Sequence, residues 1–373
     1  MMLDGWRKEV MRGILGLGVL GLVFSVAGGG CGSSSSSPAG PGDGGSSGSG
    51  SGSSGGSSGG ADGGSSSSGS SGSTLGSSGS SSGSGSSSGS SSGSASSSGW
   101  SDGGTTPTML PVATGTCPTF ANGAQATLSA GGQTINANIW MGATGGGPLI
   151  FYWHGTGSTA TLEVPVAFDT AAVTSAGGII VGVEATTRTG TPTGNTGDDV
   201  WYQSDAAFMD QSVACAIQQL HVDPRHIHTA GYSAGALQAV YLWYARSGYV
   251  ASMISYSGGD VTINTAAMQD PSNIPPAIVA HGGMGQDTFT AGGSTVDFSQ
   301  ASAAWEAIIS GDHGNYIDCN DGGNHLAFFQ TRGPNLKPVS LQFFLDHPFG
   351  ITPEPYTTLP AGFPSYCKLN GPG

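Results

Sequence analysis

The run Gly231-Tyr232-Ser233-Ala234-Gly235 puts a serine between two glycines, directly after the apolar stretch Ile227 to Gly231 and before an apolar helical stretch. In that context G-x-S-x-G describes a strand that turns sharply into a helix, leaving the serine oxygen exposed above a sheet. A serine hydroxyl is a poor nucleophile near neutral pH. It needs an imidazole to take its proton and a carboxylate to orient that imidazole. Downstream, Ala277 to Ala280 runs into His281-Gly282-Gly283-Met284-Gly285-Gln286-Asp287, which places an acid in a loop after a strand. Farther on, Cys319-Asn320-Asp321-Gly322-Gly323-Asn324-His325 places a histidine in a glycine-rich loop after the short run Asn315 to Asp318. Ser233, Asp287 and His325 are therefore the expected nucleophile, acid and base. Asp297 and Asp260 compete for the acid's place, and His313 and His347 for the base's. A tetrahedral intermediate also needs donors at its oxyanion. The turn His154-Gly155-Thr156-Gly157 follows an apolar run ending at Trp153, so the amides of Thr156 and Ala234 are the expected donors, with His154 a structural residue of the turn.

The elements that must carry these residues follow from periodicity. Thr134 to Met141 alternates, which marks a half-buried strand near a sheet edge. Pro148 to Trp153, Ile179 to Glu184, Ile227 to Gly231, Met253 to Ser257 and Ala277 to His281 are short apolar runs of the kind that form buried parallel strands. Asp205 to Leu220, Ala234 to Ala245 and Gln300 to Ile309 carry helical spacing. Strand and helix alternate, so the expected fold class is α/β, a mostly parallel central sheet with helices on both faces.

On these motifs the chain resembles the α/β-hydrolase esterases grouped with polyhydroxybutyrate depolymerases and feruloyl or acetylxylan esterases. The resemblance spans about Ile135 to Leu345. Its markers, in order, are the His-Gly turn at His154, Asp205-Ala206-Ala207-Phe208 opening a helix, Val222-Asp223-Pro224-Arg225 before a strand, the elbow at Ser233, His281-Gly282 before Asp287, and Gly322-Gly323-Asn324-His325. It implies a Ser233, Asp287, His325 triad, ester hydrolysis through an acyl-enzyme, and no metal or organic cofactor. Two positions depart from the pattern: Asp287 lies two residues farther from its His-Gly pair than is usual, and Ala236 stands where a second glycine is frequent. The implied partner is an ester substrate such as a plant polysaccharide or a polyester. A non-catalytic surface binding module on a hydrolase scaffold, or a serine peptidase, are the alternative readings.

Other residues carry weaker signals. Trp201 and Phe289, with Tyr202 and Trp305, would line an aromatic substrate pocket as readily as they would pack in a core; the first two flank loops at the catalytic end. His226-x-His228 is expected to send one imidazole inward and one outward at a strand start, which is not a metal pair.

The chain of 373 residues contains 68 glycines and carries 9 Lys+Arg against 23 Asp+Glu, a net charge of −14. That balance opposes attraction to phosphate backbones and excludes a general nucleic-acid binder. Residues 1–30 read as an export signal: Arg7, Lys8 and Arg12 precede the apolar run Ile14 to Ala27, too short for the roughly 20 residues of a spanning helix. A cut after Ala27 competes with one before Cys31. The second resembles a bacterial lipoprotein signal, in which Cys31 is the lipid attachment site, although Gly28 replaces the usual leucine; membrane contact is then through the lipid alone. Residues 31–104 are a Gly/Ser-rich linker with no apolar period, expected to be disordered and to reach roughly 45 Å as a flexible coil. Residues 105–373 form the expected esterase domain, with 6 Lys+Arg against 18 Asp+Glu, a charge of −12. Its four cysteines, Cys117, Cys215, Cys319 and Cys367, suggest two disulfides in one of three pairings, consistent with an exported protein.

Overall fold

The structure, a computed structural model, describes residues 103–186, 190–194, 200–261, 266–291 and 293–369. The expected signal, Cys31 and residues 31–102 of the expected linker lie outside the described residues. Nine strands form one sheet. In chain order the strands are β1 (Gln125–Ala130), β2 (Gln133–Met141), β3 (Leu149–Trp153), β4 (Ile179–Glu184), β5 (Ile227–Tyr232), β6 (Ser252–Tyr256), β7 (Ala277–His281), β8 (Thr288–Ala291), β9 (Ser294–Asp297), β10 (Tyr316–Asn320) and β11 (Cys367–Leu369). The main sheet runs β1-β2-β4-β3-β5-β6-β7-β10-β11, and β8 and β9 pair as a separate hairpin. From β4 to β10 every pairing is parallel; β1, β2 and β11 add antiparallel margins. The expected alternating strand is thus second from the edge, paired on both sides, while the edge strand β1 was not anticipated.

The helices are α1 (Ala160–Ala167), α2 (Thr170–Ser175), α3 (Ala206–Leu220), α4 (Ala234–Ala245), α5 (Phe298–Gly311) and α6 (Gly333–Asp346). Two apolar cores lie on opposite faces of the sheet. Along β3, Leu149, Phe151 and Trp153 join Met209, Leu242 and Trp305 of α3, α4 and α5, while Ile150 and Tyr152 join Val164, Val173 and Leu336 of α1, α2 and α6. Period-two alternation along a strand buried on both faces explains the continuous apolar runs, and helices cover both sides as expected. Trp305 packs edge-on against Trp243, with ring centroids 5.5 Å apart, so it belongs to the core rather than to a pocket.

Residues two apart share one face of a strand, and that face is covered by helices, which corrects the reading of His226 and His228. Neither imidazole faces solvent: both are fully buried, their rings 5.8 Å apart, and His228 stacks on Phe344 at 4.5 Å. The cysteines pair as Cys117–Cys215 and Cys319–Cys367. The first ties the segment before β1 to α3, and the second ties β10 to β11 just upstream of His325.

Candidate active site

The order of strands reverses around β3, since the two strands that follow it in the chain, β4 and β5, lie on opposite sides of it. In open α/β sheets the crevice beyond the carboxyl ends of strands at such a reversal is where ligands bind. Here β3 ends at Trp153 and feeds the His154-Gly155 turn, and β5 ends at Tyr232 and feeds Ser233.

Ser233 has φ +56° and ψ −123°, a strained conformation for a residue with a side chain. The surrounding glycines permit it. A β-carbon on Gly235 would fall 1.8 Å from the carbonyl oxygen of Trp153, so only glycine lets α4 start this close to β3. The elbow is pinned by the Ser233 N–H, which donates to the Tyr256 carbonyl at 2.9 Å.

Ser233 Oγ lies 2.9 Å from His325 Nε2, and His325 Nδ1 lies 2.7 Å from Asp287 Oδ1. A carboxylate oxygen accepts, so Nδ1 carries the proton and Nε2 presents its lone pair to the serine hydroxyl. That is the tautomer a general base requires. The imidazole is held on its faces by Phe298, stacked at 4.6 Å, and by Tyr232, stacked at 5.0 Å, whose hydroxyl also donates to the His325 carbonyl at 3.0 Å. Phe289 lies tilted 5.9 Å from the same ring, on the hairpin that follows Asp287.

Asp287 is fully buried, and its other oxygen, Oδ2, accepts from Gly282 N–H at 2.8 Å and Ser257 Oγ–H at 2.9 Å. Arg332, also fully buried, sits 3.3 Å from that oxygen, donates to Ser257 Oγ, and donates to Asp321 Oδ1 at 2.9 Å. Burial alone would raise the Asp287 pKa. The hydrogen bond from His325 and the Arg332 charge outweigh it and hold the carboxyl below its usual range. Arg332 therefore ties the loop that carries the acid to the loop that carries the histidine.

The competing residues do other work. Asp297 caps α5, accepting from the amides of Ser299 and Gln300, and Asp260 accepts from the Tyr244 hydroxyl at 3.3 Å. His347 is buried at the end of α6 against Glu354, and His313 occupies a turn with φ +60°. Trp201, expected as a substrate contact, is 2% exposed, and its indole N–H donates to the His154 carbonyl at 2.8 Å; its place is under the turn, not in front of the serine. Tyr202 is buried beside it.

Sequence reasoning missed Glu163, Ser257, Phe298 and Arg332. The one local signal among them is Ser257-Gly258-Gly259 after β6, where Ser257 takes φ +52°. Among the described residues one trio of possible metal ligands comes together: His281, Glu306 and Asp318, with ligand atoms within 4.8 Å of one another. His281 donates from Nδ1 to the Gly282 carbonyl at 2.8 Å, and its Nε2 lies 3.2 Å from Asp318 and 3.9 Å from Glu306. Burial lowers the His281 pKa, but the Asp318 contact, the Gly282 carbonyl and Glu306 together raise it above the usual value, so the trio is also a partly buried ion-pair network.

Against known proteins, no family model matches the chain and no curated protein matches it. Solved structures do. The chain superposes on native sOPH with a TM-score of 0.55 at 16% identity, covering 70% of this chain and 98% of that one. On native pOPH the TM-score is 0.54 at 15% identity, covering 69% and 98%. The fold is that of the α/β hydrolases. At this identity the likeness concerns architecture, and the chemistry must be argued from the site itself.

Proposed function

We propose that this protein is a serine esterase that cleaves carboxylic esters through an acyl-enzyme. The observation that carries the reading is the unbroken relay from Asp287 through His325 to the strained Ser233, with the histidine in the tautomer that accepts the serine proton. Ser233 Oγ attacks the ester carbonyl as His325 Nε2 takes its proton. The proton then passes to the leaving alcohol, and the ester bond breaks to leave the acyl group on Ser233. His325 next takes a proton from water, the hydroxide attacks the acyl carbonyl, and the acid departs as the proton returns to Ser233. Asp287 holds the imidazole and balances its charge while it is protonated. The amides of Thr156, on the turn after β3, and of Ala234, at the start of α4, receive the oxyanion.

Feruloyl, acetyl-polysaccharide and hydroxyalkanoate esters are the substrate classes to screen, and the position of Phe289 beside His325 supports its reading as an aromatic substrate contact. Two disulfides support an exported protein, and among the described residues no helix is long and apolar enough to cross a membrane. We place residues 105–373 outside the membrane barrier as the catalytic domain, held to a lipid at Cys31 by the Gly/Ser-rich segment. In a purified Ser233→Ala variant, hydrolysis of a responsive ester falls at least about 10³-fold while the melting curve is kept. Activity retained by that variant sinks the mechanism.

A further inference from the structure

An oxyanion donor works only if its peptide is fixed before the reaction begins. The turn at His154-Gly155-Thr156 lies directly against the nucleophile: a β-carbon on Gly155 would come within 2.9 Å of Tyr232 Cδ1 and 3.2 Å of Ser233 Cβ. Both peptides that meet at Gly155 are held by named partners. On the carbonyl side, Gly155 O accepts from His154 Nδ1 at 2.8 Å and from Ser158 N–H at 3.2 Å. The Ala185 N–H donates to His154 Nε2 at 2.9 Å, so that nitrogen is bare and Nδ1 carries the proton. A trans peptide sets its C=O and N–H antiparallel, so fixing Gly155 O also fixes the direction of Thr156 N–H.

On the amide side stands Glu163 of α1, fully buried behind the turn. The Gly155 N–H donates to its two carboxyl oxygens at 3.1 and 3.2 Å, and the Tyr152 hydroxyl donates to Oε2 at 2.9 Å. A carboxyl group buried this way costs free energy that a methionine of similar length would not. What it supplies in return is an acceptor for an amide that otherwise faces the buried interior behind the turn.

We propose that Glu163 is a positioning residue for ester hydrolysis: by accepting the Gly155 N–H it holds the Thr156 amide at the oxyanion site. The role rests on the serine-esterase reading and needs the acceptor, not the charge. Glu163→Gln keeps a carbonyl oxygen in place, whereas Glu163→Met fills the same space with none.

In the full-length protein Glu163→Gln is expected to keep kcat within about fivefold. Glu163→Met should lose roughly 10- to 100-fold in kcat with KM within about threefold, below the 10²- to 10³-fold typical of deleting an oxyanion donor outright. A Met variant whose kcat stays within threefold of the Gln variant, or whose loss appears in KM alone, overturns the role. Should the Met variant not fold, residue-level hydrogen exchange on the wild type decides: a Gly155 amide protected at least 100-fold supports the clamp, and exchange at the rate of a free amide refutes it. Ser233 labelling by a fluorophosphonate on the same preparation separates the two levels. Label on Ser233 with equal Gln and Met variants removes only the role of Glu163, while a folded wild type that neither labels nor hydrolyses any ester removes both.

Discussion

At the residue scale, the acid of the proposed triad has an unusual neighbour. Arg332 brings a buried guanidinium to 3.3 Å from Asp287 and also pairs with Asp321, so two carboxylates on different loops share one cation. Removing one member of such a buried network leaves the others unpaired, which typically costs 3–5 kcal/mol. Arg332→Met should therefore lower the melting temperature by roughly 10 °C, given about 2–4 °C per kcal/mol for a domain of this size. A change under about 2 °C in a thermal melt would show that the guanidinium is dispensable. Asp287→Asn should keep the fold yet lower kcat by about 10³- to 10⁴-fold, because the amide invites the wrong imidazole tautomer. Steady-state kinetics on a responsive ester checks it, and a loss under tenfold would mean another group orients His325.

At the element scale, the Cys319–Cys367 bond closes a loop with a sequence separation of 48 and anchors β11 to the strand that delivers His325. The chain-entropy account assigns such a loop about 4 kcal/mol, so replacing both cysteines by serine should lower the melting temperature by roughly 10 °C. An unchanged melting curve would contradict this. The central strands and three of the helices were legible because both-face burial writes continuous apolar runs and amphipathic helices write a period. β1 was not, since the apolar face of Gln125–Ala130 is only Ala126, Leu128 and Ala130, too slight to stand out, and α1 and α6 each contain a proline that argues against a helix. Ser233, Asp287 and His325 were legible because few residue types can do their chemistry and each follows a strand. Arg332 and Phe298 act through contacts between segments far apart in sequence, Glu163 reaches back only to Tyr152 and Gly155 but from a helix its proline conceals, and Trp201 needed its burial to separate packing from substrate contact. Nothing local distinguishes a buried glutamate on a short helix from an exposed one.

At the scale of the whole molecule, an acidic protein keeps several titratable groups away from water, and they respond to pH in opposite directions. Burial pushes Glu163 up to about 7, against hydrogen bonds from Tyr152 and Gly155 that lower it and the Glu184 charge that raises it; burial and the Asp318 charge push Glu306 up to about 7. A carboxyl whose folded pKa is raised contributes stability below its unfolded value near 4.5, and that contribution is lost as pH rises through 7. For Glu163 the span is up to about 3 kcal/mol at pH 8. His226 and His228 act the other way: burial lowers both, so their contribution is present above about 6.5 and is lost as pH falls. Melting Glu163→Gln beside the wild type at pH 5 and pH 8 isolates one carboxyl, and the variant should lose several degrees less over that interval. Parallel losses would mean that Glu163 titrates in its ordinary range.

Whether Ser233 is an activated nucleophile is read out by active-site labelling. The folded, full-length protein is treated with a fluorophosphonate and the modified residue is located by mass spectrometry. A single adduct on Ser233 is expected, lost in Ser233→Ala and strongly slowed in His325→Ala. A folded protein with no adduct on Ser233 would contradict it and leave a hydrolase scaffold whose relay does no chemistry.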